Sequence, residues 1–534
     1  MAAVIGHEFE FPLLYRAAGL DERETAEAVE ELVRRRVLQS VGEKFGFTHD
    51  RIREVAYQSI LPERRQALHA RVTAAIADLY AGRLSDYIER LAHHAVRGRL
   101  PEQAIAYLRQ AGSKAFSNSA HVEAVANFAT ALDLIMALPE STARDREELG
   151  VRLALGPTLQ VTRGHAAPEV EANYGRARAL SQRVGDLGQQ FQALWGLWLM
   201  ASYRANATTA LELGGELLAL AERSGDSALL LEGHHALWPV LIWSGRVSAA
   251  RPHLEQGIAL YDKTAHHAHA FVYGGHDPGM CALKCASWAF WLLGFPERAL
   301  AYSAQSLSFA ADLAHPPSLV AALVWACVFR DVRREPGAMH EHARALIHIA
   351  SEQGAQQWLA AGRIFDACVR AELGEGHAAI DDIKRGVDVY RSTGAALFMP
   401  YFLSLRARAE RSIGRYDVAL ATVEEALRVA RETGELVWEP ELLRLEGEVG
   451  LLNAPGDSGR ALGCFDRALE IARREQARSW ELRAAVSLAG VLAANGERAE
   501  ARRRLADAYN GFTGGFDTAD LSEAQRLLKE LTTR

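Results

Sequence analysis

The chain has 534 residues, 49% of them hydrophobic and 24% charged, so it is a foldable polypeptide and not a disordered one. Lys+Arg is 60 against Asp+Glu 67, a net charge of −7, and this acidic balance argues against non-specific nucleic-acid binding. The five cysteines (Cys281, Cys285, Cys327, Cys368 and Cys464) are few, odd in number and set in apolar contexts, which reads as reduced thiols in a cytoplasmic protein.

Met1–His7 has no basic stretch followed by a long apolar one, so no signal peptide is expected. Phe9–Ala18 predicts a helix. Asp21-Glu22-Arg23-Glu24 caps a second, running to about Arg35. Val37-Leu38-Gln39-Ser40 and Phe45-Gly46-Phe47-Thr48, joined across Gly42, predict a short hairpin. His49–Ile60 and Glu63–Tyr80 predict two more helices. Residues 1–80 therefore read as a winged-helix-like domain. Arg34-Arg35-Arg36 invites a DNA-binding reading. The run ends a helix, however, where cations meet the negative end of the dipole, and that suffices to explain it.

Residues 81–534 carry a repeat. A small residue recurs with another small residue seven positions on, often with a larger apolar residue at the fourth. Ala124/Phe128/Ala131, Ala419/Val423/Ala426 and Ala461/Phe465/Ala468 are clear. Val170/Tyr174/Ala177, Ala250/Leu254/Gly257, Ala379/Ile383/Gly386, Ala299/Ser306, Ala338/Ala345 and Ala499/Ala506 are weaker, and Ala210 has Leu217 at its seventh position. Successive units start about 40 residues apart, the length of one helical hairpin. Residues seven apart share a helix face, so small ones let a partner helix approach closely. Gly185, Gly225, Gly354, Gly394 and Gly434 read as helix stops. This is the spacing of the tetratricopeptide motif, and Gly112 matches its small position in the first helix. The expected fold is all-α: a right-handed solenoid of about ten tetratricopeptide-like hairpins, irregular because the unit exceeds the standard 34 residues and several fourth positions (Gly214, Ser303, His342, Arg503) are degenerate. The longest uncharged apolar runs, 285–295 and 319–329, are far short of the ~20 residues of a membrane span and read as buried helices.

Candidate sites are sparse. No phosphate-binding glycine loop occurs, nor even a Gly-Lys dipeptide, and no βαβ frame exists to hold cyclase metal ligands. No catalytic residue, cofactor or metal is assigned. His253, His266, His267, His269 and His276 with Asp277 form the densest histidine cluster, but they fall mostly in one loop, and Cys281/Cys285 lacks a second pair for zinc. Most of the ten tryptophans read as core; Trp195, Trp198, Trp238, Trp243, Trp288 and Trp291 are the candidates to line a concave groove as partner anchors.

The segment order also resembles a known family. Ala2-Ala3-Val4-Ile5-Gly6, Phe47-Thr48-His49-Asp50 and Arg64-Arg65-Gln66-Ala67-Leu68-His69 look like the segment that follows the ATPase core in large bacterial signal-transducing ATPases, relatives of soluble adenylyl/guanylyl cyclases and of ATPase-linked transcription activators. Gly274-Gly275-His276-Asp277-Pro278-Gly279, Trp288–Gly294 and Phe512–Leu521 are similar to that family's C-terminal half. The resemblance implies a sensor arm that holds a protein or peptide partner in its groove, with an ATPase or cyclase domain against residues 1–80. It also implies that His49 stands where a histidine senses the diphosphate, although Thr48 departs from the usual methionine; the alternative is a structural role at the helix N-terminus. Other readings are a non-catalytic subunit or split fragment of a cyclase complex and, more weakly, a DNA-binding regulator. Nucleic acid and membrane are not expected partners.

Overall fold

The computed structural model describes residues 1–273, 275–456 and 458–532, so Gly274 of the glycine-rich motif lies outside the described residues. The chain divides into two compact units, Met1–Thr158 and Leu159–Arg534.

The first unit opens with α1 (Ala2–Ile5), β1 (Glu8–Phe9), α2 (Phe11–Ala18), α3 (Glu22–Arg34), β2 (Leu38–Val41), β3 (Lys44–Phe47), α4 (Asp50–Gln58) and α5 (Pro62–Leu79). Asp21 accepts the Glu24 N–H at 2.7 Å and so caps α3. β2 and β3 pair antiparallel around a turn at Gly42, whose φ of 61° suits glycine. A third strand, β1, adds to the free edge of β3 with Glu8 opposite Gly46. Two residues are too few to announce a strand; pairing with β3 makes it one. Phe9, Leu13, Leu38 and Phe47 are buried between sheet and helices.

The compact unit does not end where the pattern changes near residue 80. The helices Ile88–Arg97, Pro101–Ser117 and His121–Met136 belong with it, and α5 packs directly on Ile88–Arg97. Phe128, the apolar member of the first triplet, lies against Gly112: a Cβ there would sit 2.7 Å from the ring.

In the second unit most helices form antiparallel hairpins. Leu187–Tyr203, Ser227–Trp243, Pro278–Leu292, Pro316–Val332, Gln356–Glu372, Met399–Ser412, Glu439–Asn453, Arg478–Ala494 and Ala519–Thr532 form an inner row, each packed on the next. The helices between them, such as Pro296–Asp312 and Tyr416–Thr433, pack chiefly on their sequence neighbours and form the outer row. This is a tetratricopeptide-like α-solenoid. Prolines at the first turn start many of these helices (Pro168, Pro278, Pro296, Pro316, Pro336), where a missing N–H costs nothing. All of Pro278–Leu292 but Leu283, and most of Pro316–Val332, are buried, as their apolar runs imply. Among the described residues no helix is long and apolar enough to cross a membrane.

Most triplets are buried in the expected register, with two corrections. In Pro336–Glu352 the buried positions are Met339, Ala343 and Leu346, one residue on from Ala338/Ala345. In Arg498–Tyr509 they are Ala501, Leu505 and Ala508, two residues on from Ala499/Ala506. The expected registers would have put His342 and Arg503 into the interface; the true ones put Ala343 and Leu505 there. Gly185 is a third correction. It leaves its helix in an extended conformation (φ −86°), whereas Gly225, Gly354, Gly394 and Gly434 take the left-handed stop.

The second unit also winds back on itself. The Ala396 and Leu397 N–H groups donate to the Tyr203 carbonyl at 2.9 and 3.2 Å. Ser479 Oγ donates to the Trp291 carbonyl 188 residues earlier, and the Gly515 N–H to Glu297, 218 residues earlier. Successive turns of the array thus touch about five hairpins apart, given a ~40-residue unit. Where they meet, aromatic rings fill the interior: Trp288 lies 5.4 Å from Trp291, 4.9 Å from Trp438 and 6.1 Å from Trp480.

Candidate functional site

Beyond this aromatic plug, the inner row keeps a cavity of about 530 Å³ lined by charge, with five arginines and seven carboxylates. Inner helices supply most of them, because positions about one hairpin apart in sequence come to face one another. Arg408 donates to both oxygens of Asp331 at 2.8 and 2.9 Å and to Glu372 at 2.5 Å, and Tyr401 O–H donates to the same Asp331. Arg444 grips Glu441 in a fork, 2.7 and 2.8 Å, the geometry that arginine and carboxylate favour. Arg411 donates to Glu448 at 2.8 Å, and Arg483 to Asp520 at 2.9 Å. Burial opposes ionisation of Glu441, but the Arg444 and Arg483 guanidinium groups outweigh it and hold its carboxyl down to about 2. Burial likewise opposes ionisation of Glu448, and Arg444 and Arg411 hold it below the usual range. These carboxylates are therefore charged at neutral pH. The surplus of two carboxylates makes the wall net acidic. Glu372 and Glu523, at 40% and 37% side-chain exposure, are the carboxylates of the wall most open to solvent.

The tryptophans take a different place. Trp195, Trp198, Trp238, Trp288 and Trp291 are buried; only Trp243 is half-buried. The five are packed in the interior, with Trp288 and Trp291 where turns of the array meet and Trp195 and Trp238 against His235.

His49 precedes the first residue of α4. It is exposed, and its side chain makes no hydrogen bond to the helix. Neither neighbour caps the helix: Thr48 Oγ1 donates to the Arg36 carbonyl at 2.7 Å, and Asp50 pairs with His7 Nδ1 at 2.8 Å. Arg34 and Arg35 both pair with Glu31, which accounts for two of the three arginines.

The histidines of the expected cluster are separately employed, and His253, His266 and His269 lie on helices and not in a loop. His253 meets His234 at 2.9 Å, His266 accepts the Asp262 N–H, His267 reaches Asp277, and His269 reaches Glu232 at 2.7 Å. His276 alone of them comes close to Cys281 and to His235, a residue outside the expected cluster.

A second histidine group went unseen in the sequence. Tyr57 O–H meets His69 Nε2 at 2.9 Å, and His69 Nδ1 meets His94 Nδ1 at 2.8 Å. His94 also bonds the Ile5 backbone, so the network assigns a relay: Tyr57 to His69, His69 to His94, His94 to the Ile5 carbonyl. Burial, with the nearby His93 and Arg97, lowers His69 to about 4; burial and His69 lower His94 to about 3. The relay ties α1, α4, α5 and the helix Ile88–Arg97 together.

No family model matches the chain. An uncharacterized protein, R02095, of Rhizobium meliloti (strain 1021) is 28% identical over 408 residues, which covers 75% of this chain and 39% of that protein. The chain thus spans about two-fifths of the length of the curated relative it matches. Among solved structures, a Rap protein complexed with Competence and Sporulation Factor aligns with a TM-score of 0.52 at 13% identity, covering 70% of this chain and 98% of that one. A signal transduction ATPase with numerous domains and a tetratricopeptide repeat sensor, from Pyrococcus horikoshii, aligns at a TM-score of 0.32 and 11% identity, over 99% of this chain and 64% of that one. What the first of these structural likenesses shows is the fold, a tetratricopeptide-type helical repeat.

Proposed function

We propose that the chain is a protein-interaction module that takes a charged segment of a partner into the acidic inner cavity of its second unit. The observation that carries this reading is the cavity itself: a concave, charge-lined space on the inner row of a helical repeat, whose wall has more carboxylates than arginines. Such a wall favours a segment bearing lysine or arginine. The Rap protein complexed with Competence and Sporulation Factor belongs to the same class of fold and supports the reading by analogy.

The test is a peptide-display selection against the purified chain, with Glu372→Gln/Glu523→Gln as counter-target. Enrichment of basic sequences that the double variant no longer holds supports the reading. Failure to enrich any sequence, or sequences indifferent to the two substitutions, sinks it.

The finer reading is that this module is the sensor arm of a signalling ATPase, with residues 1–80 as a winged-helix domain and His49 facing the nucleotide. The order of elements from α2 to α4 and the free, exposed side chain of His49 support it. It makes the chain itself catalytically silent towards ATP, and a turnover assay with Mg²⁺ checks this. His49→Ala leaves the circular dichroism of the chain unchanged. In a protein joining this chain to its ATPase core, it raises basal turnover by the equivalent of one lost hydrogen bond, roughly 1–3 kcal/mol. Unfolding of residues 1–80 in that variant would make His49 structural instead.

A further inference from the structure

Three side chains from two helices and the loop between repeats converge inside the second unit. His235 comes from Ser227–Trp243, Cys281 from Pro278–Leu292, and His276 from the loop just before it; their ligand atoms all lie within 4.8 Å of one another. Cys285 is buried one turn beyond Cys281 on the same helix, outside that group of three. Two imidazoles and one thiol thus converge, with a second thiol, Cys285, one helical turn beyond.

The surroundings are those of a metal centre. Glu232 is 1% exposed, and its Oε2 lies 2.8 Å from His235 Nδ1. A carboxylate on one imidazole nitrogen orients the ring and leaves the other nitrogen to face the thiols, as metal-bound histidines require. The other oxygen of Glu232 is fixed by His269 Nδ1 at 2.7 Å. The Nε2 of His276 is buried without a hydrogen-bond partner. The Trp238 indole Nε1 is likewise buried without a hydrogen-bond partner. A tetrahedral zinc with bonds of about 2.0–2.3 Å sets its ligand atoms about 3.4–3.8 Å apart, so small side-chain rotations bring these atoms into range. Charge also balances: a divalent ion and Lys284 offset two thiolates and Glu232.

We propose that His235, His276, Cys281 and Cys285 form a closed structural zinc site, oriented by Glu232. It staples the loop at His276 and the helix Pro278–Leu292 to Ser227–Trp243, beside the aromatic interior.

The test uses the full chain, stripped with chelator under reducing conditions and titrated with Co²⁺ and then Zn²⁺. The expected result is one metal per chain, with the visible bands of tetrahedral cobalt and a sulfur-to-cobalt charge-transfer band that zinc abolishes. Cys281→Ser weakens the charge-transfer band, Cys281→Ser/Cys285→Ser abolishes it, and His276→Gln disturbs the tetrahedral pattern. Glu232→Gln weakens binding about 10–100-fold. Cys464→Ser, on the outer helix Ser458–Arg474, leaves the spectrum unchanged. Circular dichroism confirms that each variant is folded, and the wild-type titration needs no variant at all. Wild-type protein that takes up no cobalt with a thiolate band, or a band of undiminished intensity in folded Cys281→Ser, overturns the proposal.

Discussion

Trp288 is 1% exposed and neighbours four other indoles contributed by two turns of the array. A residue so placed joins the array to itself as well as filling space. Trp288→Ala is expected to destabilise the second unit by about 3–5 kcal/mol, the usual cost of emptying a large aromatic site. Denaturant unfolding followed by tryptophan fluorescence measures it. A cost below about 1 kcal/mol would mean that the interior is not packed as described. His69 and His94 act differently. Both are held below the ordinary histidine value of 6.5, to about 4 and about 3, so the unfolded chain takes up protons more readily than the folded one. Their contribution is full above pH 6.5 and is lost as the pH falls towards 4. Hydrogen exchange of the intact chain, corrected for its intrinsic pH dependence, should show residues 1–158 losing protection across that window, less so in His94→Gln. Flat protection down to pH 4.5 would contradict the relay.

At the scale of the helices, close approach decides which glycines matter. Gly112 and Gly447 face the rings of Phe128 and Phe465, and a Cβ at either would lie 2.7 or 2.6 Å from the ring. Gly175 and Gly215 also sit inside helices but have nothing within 4 Å. Gly112→Ala and Gly447→Ala are expected to cost about 1–3 kcal/mol by overpacking. Gly175→Ala and Gly215→Ala should instead add about 0.5–1 kcal/mol, by restricting the unfolded backbone. Equal effects in the two pairs, measured by denaturant titration, would refute the packing. This scale was also the most legible in the sequence, because hairpin spacing is local: Ala124/Phe128/Ala131 announces a buried face without reference to anything far away. The slips at Ala338 and Ala499 came from following small residues alone, where the position of the larger apolar residue, Leu505 for one, fixes the register.

The whole second unit is where sequence reading ran out. Arg408, Asp331 and Glu372 lie on different helices, and only the packing of the inner row brings them to one wall. The return of Ser479 to Trp291 packs two expected groove anchors, Trp288 and Trp291, into the interior. His235 was passed over because its partners His276 and Cys281 lie a full repeat away. A search for charged residues recurring at the hairpin period, as the small ones do, would have found Arg408, Arg444 and Arg483 on successive inner helices. The claim that this wall is the working surface is tested most directly by site-mapped photo-crosslinking. A basic peptide from the display selection, carrying one photoreactive residue, is bound to the chain and the adducts are located by mass spectrometry. The account expects adducts on the inner helices around Glu372, Arg411 and Glu523, fading as salt screens the charges. Adducts confined to outer helices such as Tyr416–Thr433, or insensitive to salt, would contradict it.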